Sequence, residues 1–353
     1  MKEIKTVGVL TSGGDAPGMN AAIRAVTRSA IYEGWKVMGI YRGYEGLING
    51  DIKEFKSSDV SNTIQRGGTI LKTARSKDFM TAEGKQKAYD NIVKFGIDAL
   101  IVIGGNGSLT GAQELAKLYD LPVIGLPGTI DNDLYGTDTT IGYDTAMNTI
   151  VDCVDKIRDT ANSHDRIFFV EVMGRDAGWI ALNAAVAGGA EVCLIPEFPY
   201  DINIVKERLE SRFVNDRGSA IVVISEGAKP KDGQQIFEVS KEVGYENVRL
   251  GGIGVKFIEQ MKAAGFQHDM RETTLGHLQR GGVPVAYDRV LASQFGVKAF
   301  EMVLNKEYGN MVAYRHPNVI SVPIKDAVAK MNFVQPDCDL VRTAKGLGIS
   351  FGV

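Results

Sequence analysis

The chain has 353 residues, 44% of them hydrophobic and 24% charged, which suffices for two ordinary domains around a sizeable core. Its formal net charge of −3 excludes a general attraction to nucleic acid or an anionic membrane, so any anion site must be local. Cys153, Cys193 and Cys338 lack metal-ligand spacing, "MKEIKTVGVL" lacks a signal-peptide pattern, and no apolar run approaches the roughly 20 residues of a bilayer span, so the cytoplasm is the expected location.

Short runs rich in Val, Ile and Leu predict strands at 6–10 (TVGVL), 36–41 (KVMGIY), 99–104 (ALIVIG), 122–126 (PVIGL), 166–172 (RIFFVEV), 191–195 (EVCLI) and 220–225 (AIVVIS). They are too continuously apolar for half-exposed strands and fit a parallel sheet covered on both faces. Helical patterns lie between them. In 145–159, Met147, Ile150, Val151, Val154 and Ile157 form one apolar stripe and leave Asp152, Asp155, Lys156 and Asp159 for water. This helix is expected to cross between two doubly wound α/β domains. The stretch 227–235 (GAKPKDGQQ) has no apolar period and is the most loop-like segment.

Glycine-rich polar turns follow the strands: TSGGDAPG, GGNGS, PGTIDND, MGRDAG and SEG. Ligands of open parallel sheets bind beyond the carboxyl ends of the strands, so these turns are the candidate site. In the first, Gly13 and Gly14 let a phosphate approach the backbone ahead of a helix start near Pro17. The pattern is neither GxGxxG nor a P-loop, which argues against a dinucleotide dehydrogenase or a P-loop kinase. Arg24 and Arg28 follow at i, i+4 and, taken alone, make a solvated basic face. In the second turn, Gly104, Gly105 and Gly107 open the backbone and Ser108 suits an N-cap or a phosphate donor. In the third, Asp131 and Asp133 either form a turn pair or divide two tasks, one taking a proton and the other helping to hold a metal-bound phosphate. Arg166, Arg175, Arg271 and Arg280 are suited to phosphate oxygens, and His277 gains weight from Arg280 three residues on.

The segments TSGGDAPGMNAAIR, RGGT, GGNGS, PGTIDND, MGRDAGW and LGHLQRGG, in this order, resemble the 6-phosphofructokinase family from the first strand to about residue 305. The resemblance implies an α/β phosphofructokinase fold of two Rossmann-like doubly wound domains with mainly parallel sheets. It implies a nucleotide-binding domain of 1–142 plus about 279–330, a sugar-phosphate domain of 143–278, and a C-terminal segment 331–353 packing on them. A homotetramer is implied, with phosphoryl transfer from ATP to the 1-hydroxyl of fructose 6-phosphate and magnesium as cofactor.

Carried over by residue, Asp131 resembles the family's proton acceptor, supported by Thr129, with Asp133 near the metal. Arg175 resembles the residue that steadies the transferred phosphoryl. Met173, Gly174 and Glu226 resemble sugar-lining positions, Arg166, Arg271, His277 and Arg280 the 6-phosphate clamp, and Ile130, Leu278 and Gln279 further substrate-site positions. Of these, Arg166 and Arg271 are implied to reach in from a neighbouring subunit. Gly14, Tyr44, Arg75, Ser76, Gly105, Asn106, Gly107, Ser108 and Gly111 match donor-binding positions. Diphosphate-using members carry Asp at position 107 and Lys at 128, so Gly107 and Gly128 imply ATP. Arg24, Arg28, Arg158, Glu191 and Arg217 resemble the bacterial effector site for ADP or phosphoenolpyruvate. The chain departs from the family at Asn215, often Lys, in the longer 227–270 segment, and most sharply at Asn106, usually an aspartate that holds magnesium. The alternatives are a catalytically weakened sugar-phosphate or nucleotide sensor and a diphosphate-dependent kinase.

Overall fold

The computed structural model describes residues 5–214, 218–231, 233, 237–239, 248–250 and 252–353. The chain divides into two compact units, Met1–Thr145 with Arg280–Met331, and Ala146–Gln279 with Asn332–Val353.

In chain order the first unit holds β1 (Thr6–Thr11), α1 (Met19–Tyr32), β2 (Lys36–Ile40), α2 (Gly43–Asn49), β3 (Ile52–Phe55), α3 (Ala82–Lys94), β4 (Ala99–Gly104), α4 (Asn106–Tyr119), β5 (Val123–Pro127) and the start of α5 (Tyr143–His164). The second unit contributes β6 (Ile167–Val172), α6 (Trp179–Ala187), β7 (Val192–Leu194), α7 (Ile202–Val214), β8 (Ala220–Ser225), β9 (Phe237–Val239), β10 (Val248–Leu250), α8 (Ile253–Ala263) and β11 (Met270–Thr274). The chain then returns to the first unit with α9 (Ala286–Leu304), β12 (Asn310–Arg315), β13 (Asn318–Pro323) and α10 (Ile324–Ala329), and ends in the second with α11 (Asp339–Gly346).

The first unit's sheet has the order β13-β12-β5-β4-β1-β2-β3. Its interior pairs are parallel, while β3 and β13 lie antiparallel at the edges. The second unit's main sheet, β11-β6-β8-β7, is parallel throughout. The expected α/β architecture with mainly parallel sheets is therefore present. Every residue of β4, β5 and β8 is buried, which is why these runs carry no alternation. Each such Val, Leu or Ile contributes about 1.5–3 kcal/mol through burial. The edge strands of the first sheet, β3 and β13, were not among the expected ones: β3 reads IKEF and keeps its two central residues exposed, so it lacks the continuous apolar signature.

Helices α1 and α9 cross closely in the first unit, because a Cβ on Gly296 would stand 2.6 Å from Ala25 Cβ and 2.7 Å from Ala22 O. Near the start of α9, Asp288 is fully buried. Burial pushes its carboxyl up from 3.8 to about 6, against hydrogen bonds from Thr145 and Gly142 that pull it down; the neighbouring Asp144 adds to the rise. A carboxyl raised on folding binds its proton more tightly in the folded chain. Its stabilising contribution is full below pH 3.8 and is lost as pH rises through about 6. Relative to an Asp288→Asn variant, which stays neutral, the folding stability of the protein is expected to fall by about 3 kcal/mol over this window, at about 1.36 kcal/mol per pH unit. Denaturant titrations of both chains from about pH 4 to 6.5 measure this, and a pH-independent difference between them contradicts it.

Candidate active site

In the first unit three polar loops leave the same edge of the sheet. The loop after β1 is tied to β4 by Ser12 N–H donating to Ile103 O at 3.0 Å. The loops after β4 and β5 are joined by Gly128 N–H donating to Gly104 O at 3.0 Å. A Cβ on Gly104 would lie 2.6 Å from both Ser108 Cβ and Ser12 O, so the residue types at these loop starts are dictated by packing. A Cβ on Gly105 would lie 3.6 Å from Thr129 Cβ, which sets the GGNGS turn beside the TIDND turn. A Cβ on Gly14 would overlap the guanidinium of Arg280, whose Nη1 donates to Asp15 O at 3.4 Å. Arg280 therefore lies in the first unit, against the glycine loop.

Helix α4 begins at Asn106 with Gly105 in the cap position and no side-chain cap bond. Ser108 is therefore not the N-cap, one of the two roles its sequence context suits; it sits buried inside the first turn, after a helix start at Asn106. Asn106 occupies the helix N-terminus, and its Oδ1 is a buried oxygen without a hydrogen-bond partner. An orphaned acceptor costs about 1–3 kcal/mol, so this atom is suited to a cation or donor. Among the described residues no cluster of three His, Cys, Asp or Glu forms a metal site. A magnesium ion that keeps several waters and takes one or two protein oxygens is compatible with that, with Asn106 and the half-buried Asp133 as the residues offering them.

Gly107 is exposed, and a Cβ there would meet nothing within 4 Å. Gly128 is packed: its Cβ would lie 2.9 Å from Ile103 Cγ2 and 3.1 Å from Met19 Cε. Tyr44 is buried and stacks on Phe79 with ring centroids 3.9 Å apart, and it donates to Ser108 O at 2.5 Å. Burial holds its phenol far above the usual range. A Cβ on Gly111 would meet this pair at 2.9 Å and 3.2 Å, so Tyr44 supports the α4 turn from below. Arg75 is exposed, and Ser76 Oγ accepts from Phe79 N–H at 3.2 Å.

In the TIDND turn, Asp131 N–H donates to Thr129 Oγ1 at 3.2 Å, and Asn132 takes a left-handed φ of 53°. Thr129 and Ile130 are buried, while Asp131 and Asp133 are half-buried. A carboxylate held by its own loop and still reached by solvent can accept a proton from a bound hydroxyl.

The second unit gathers its own loops after β6, β8 and β11. Gln279 is fully buried; its Oε1 accepts from Met173 N–H at 3.1 Å and its Nε2 donates to Gly276 O at 2.9 Å. Ser225 Oγ donates to Gly174 O, and Glu226 N–H donates to Val172 O at 2.8 Å. A Cβ on Gly227 would overlap Arg175 O. Met173, Gly174, Arg175, Glu226, His277, Leu278 and Gln279 thus share one strand edge, with His277 and Leu278 exposed.

Arg166 and Arg271 do not join them. Arg166 precedes β6 and Arg271 is second in β11, at the opposite ends of strands that run parallel. At about 3.3 Å per residue, the six-residue β6 puts roughly 20 Å between Arg166 and the Met173 loop. Both arginines converge on Asp269, Arg166 Nε donating to Oδ2 at 2.7 Å and Arg271 Nη1 to Oδ1, and the pair holds that carboxyl below its usual range. Asp269 was not among the sequence candidates; its only signal is its place two residues before Arg271.

Of the expected effector positions, Arg24 is half-buried and Arg28 exposed on α1 in the first unit. In the second, Arg158 Nη2 donates to Gly188 O and Gly189 O at 2.5 Å and 2.8 Å. Glu191 accepts from Ile221 N–H at 2.8 Å and pairs with Arg212 Nη2 at 3.0 Å. Arg217 and Asn215 lie outside the described residues, as do 232, 234–236, 240–247 and 251 of the 227–270 segment.

Residues 6–303 match the phosphofructokinase family. The chain is 54% identical over 349 residues to a protein of Bacteroides thetaiotaomicron named ATP-dependent 6-phosphofructokinase 2, covering 99% of this chain and 100% of that one. It is 48% identical over 327 residues to ATP-dependent 6-phosphofructokinase 1 of Thermus thermophilus, covering 93% and 95%. Among solved structures, that of phosphofructokinase from Saccharomyces cerevisiae superposes with a TM-score of 0.81 at 37% identity, covering 92% of this chain and only 45% of the yeast chain. No described helix is long and apolar enough to cross a membrane. The chain belongs to the phosphofructokinase family.

Proposed function

We propose that the protein is an ATP-dependent 6-phosphofructokinase, transferring the γ-phosphoryl group of ATP to the 1-hydroxyl of fructose 6-phosphate. The observation that carries this reading is the TIDND turn lying against the GGNGS helix start, in a chain whose near-full-length relatives bear that activity in their names. Asp131 takes the proton of the 1-hydroxyl as its oxygen bonds the γ-phosphorus. The bond from that phosphorus to the β,γ-bridging oxygen breaks, and ADP leaves. Arg175 stabilises charge on the transferred group, and Thr129 orients Asp131. The glycine loops of the first unit cradle the donor phosphates, with the N-terminus of α4 contributing its dipole. Magnesium, when bound, neutralises phosphate charge during transfer. The Met173, Glu226 and His277 loops of the second unit receive the sugar phosphate. Arg166 and Arg271, on the far edge of that sheet, act on the site of a neighbouring subunit, and the working form is an oligomer. The relatives' names favour a catalyst over a sensor.

Asp131→Asn is expected to lower kcat about 10²- to 10⁴-fold with sugar binding largely kept, since an amide retains the shape and cannot take the proton. A coupled assay with fructose 6-phosphate measures this, and a loss below about tenfold removes Asp131 from the role.

Gly107 has open space, so Gly107→Asp is expected to fold normally and to lower kcat/KM for ATP by about a hundredfold. One negative charge about 5 Å from phosphate at an effective dielectric of about 20 opposes binding by about 3 kcal/mol. Turnover of the unaltered protein with diphosphate equal to that with ATP contradicts the donor assignment.

Asn106 offers magnesium a neutral oxygen where a charged one binds better. Asn106→Asp is expected to lower the magnesium concentration for half-maximal rate by about tenfold, equivalent to about 1.4 kcal/mol. Magnesium titrations at saturating ATP, with mass spectrometry to exclude deamidation of the Asn106–Gly107 pair, decide it. Superimposable curves for the two proteins reject the metal role.

A further inference from the structure

Asp288 belongs to α9, yet its hydrogen bonds serve other segments. One carboxylate oxygen accepts from Gly142 N–H at 2.8 Å. The other accepts from Thr145 N–H at 2.7 Å and from Thr145 Oγ1 at 2.6 Å. The same hydroxyl accepts from Val285 N–H at 3.0 Å. The donor Gly142 directly precedes α5 and Thr145 lies in its first turn, where amides lack intrahelical partners and the dipole is positive. Asp288 therefore caps α5 from a different helix.

The segment just before that cap is a strap across the TIDND turn. Thr140 Oγ1 donates to Thr129 O at 2.6 Å and lies 3.3 Å from Asn132 Oδ1. Ile141 N–H donates to Pro127 O at 2.9 Å. On its other side the strap packs on the first glycine loop. Gly142 has a φ of +97°, and its Cβ would stand 2.6 Å from Ala16 Cβ and 3.1 Å from Pro17 Cδ. A Cβ on Gly18 would stand 2.9 Å from Ile141 Cγ2 and 3.4 Å from Asp288 O. Residues 138–142 are wedged between the proposed donor loop and the proposed catalytic loop, and their far end is pinned by one carboxylate.

We propose that Asp288 is a positioning residue for phosphoryl transfer, clamping Gly142 and Thr145 so that Thr140 holds Thr129 and Asp131 in register with the glycine loop. The proposal rests on the reading of Asp131 as proton acceptor. A helix start alone does not need this arrangement. Serine, threonine or asparagine caps do the same at less expense than a fully buried carboxylate. Burial raises the Asp288 carboxyl despite its donors, so the anion is kept at a net energetic cost, as is common at functional sites. An anion grips its amide donors about twice as strongly as a neutral acceptor, which suits a clamp.

The test uses the full chain. Asp288→Asn places an amide N–H₂ against N–H or O–H donors on one side. It is expected to lower kcat at least tenfold while KM for fructose 6-phosphate, bound by the other unit, changes less than about twofold. Thr145→Val is expected to lower kcat in the same way, and Thr145→Ser, which keeps the hydroxyl, to restore most of it. Hydrogen exchange is expected to quicken in peptides spanning 127–142 of Asp288→Asn and to stay unchanged in the middle of α9. If kcat falls only in step with the folded fraction, if KM rises with it, or if Thr145→Ser is as impaired as Thr145→Val, Asp288 is a structural cap and the proposal fails. If Asp288→Asn does not fold, the two Thr145 variants carry the test. Asp131→Asn is run alongside. Full activity there overturns the proton-acceptor reading, whereas the exchange of 127–142 in Asp288→Asn still decides whether the clamp exists.

Discussion

The arrangement depends on the parallel register of three buried strands. Thr11 of β1 pairs with Ile103 of β4, and Ile103 with Leu126 of β5. The strands end flush, so the turns that leave them start in one row and share backbone bonds such as Gly128 N–H to Gly104 O. A slip of one residue in any strand would turn its side chains to the other face and pull its loop about 3.3 Å out of line. Both faces are buried by helices, so such a slip carries a large penalty, and the loop row inherits the precision of the core. The second unit uses the same device. Val172 pairs with Ser225 and Glu171 with Thr274, so the Met173, Glu226 and Leu275 segments begin side by side.

Polar groups complete what the sheets begin. In each unit a buried amide side chain ties down a loop: Asn20 of α1 holds residues 66–70 in the first, and Gln279 links two loops in the second. Asn20 Nδ2 donates to Arg66 O at 2.9 Å while its Oδ1 accepts from Ile70 N–H at 2.7 Å. Gln279 joins Met173 to Gly276. Each amide uses a donor and an acceptor at once, so Asn20 closes a single turn of 66–70 while Gln279 links the Met173 and Gly276 loops. Asn106 Oδ1 stands apart as a buried acceptor left open, at the end of a helix that favours negative charge.

The sheet interiors were legible in the sequence because burial on both faces writes an unbroken apolar run, as in ALIVIG. The glycine turns were legible for a related reason: Gly104 and Gly227 have no room for a Cβ, so the chain has no freedom to disguise them. The first sheet's edge strands were not, since IKEF or NVISVP half-faces solvent and resembles many loops. Read as a cap, Ser108 would start α4 three residues late; Ser is a common cap, while here Gly105 takes that position. Arg166 and Arg271 looked like any arginine beside a strand; which end of the strand each occupies follows only from the pairing of β6 with β11. Asp288 acts across a separation of 146 residues, and Asp269 reaches Arg166 across 103, so no local pattern shows either pairing.

Gly14 and Arg280 illustrate how side-chain volume is shared between distant positions. The guanidinium occupies the space that a side chain at position 14 would need, so the two residues are in effect one packing unit divided over a gap of more than two hundred positions. A Cβ at position 14 forces the Arg280 guanidinium to swing away, since it would overlap Nη1. A side chain at position 14 therefore costs the guanidinium its present place, and a shorter residue at 280 removes that conflict.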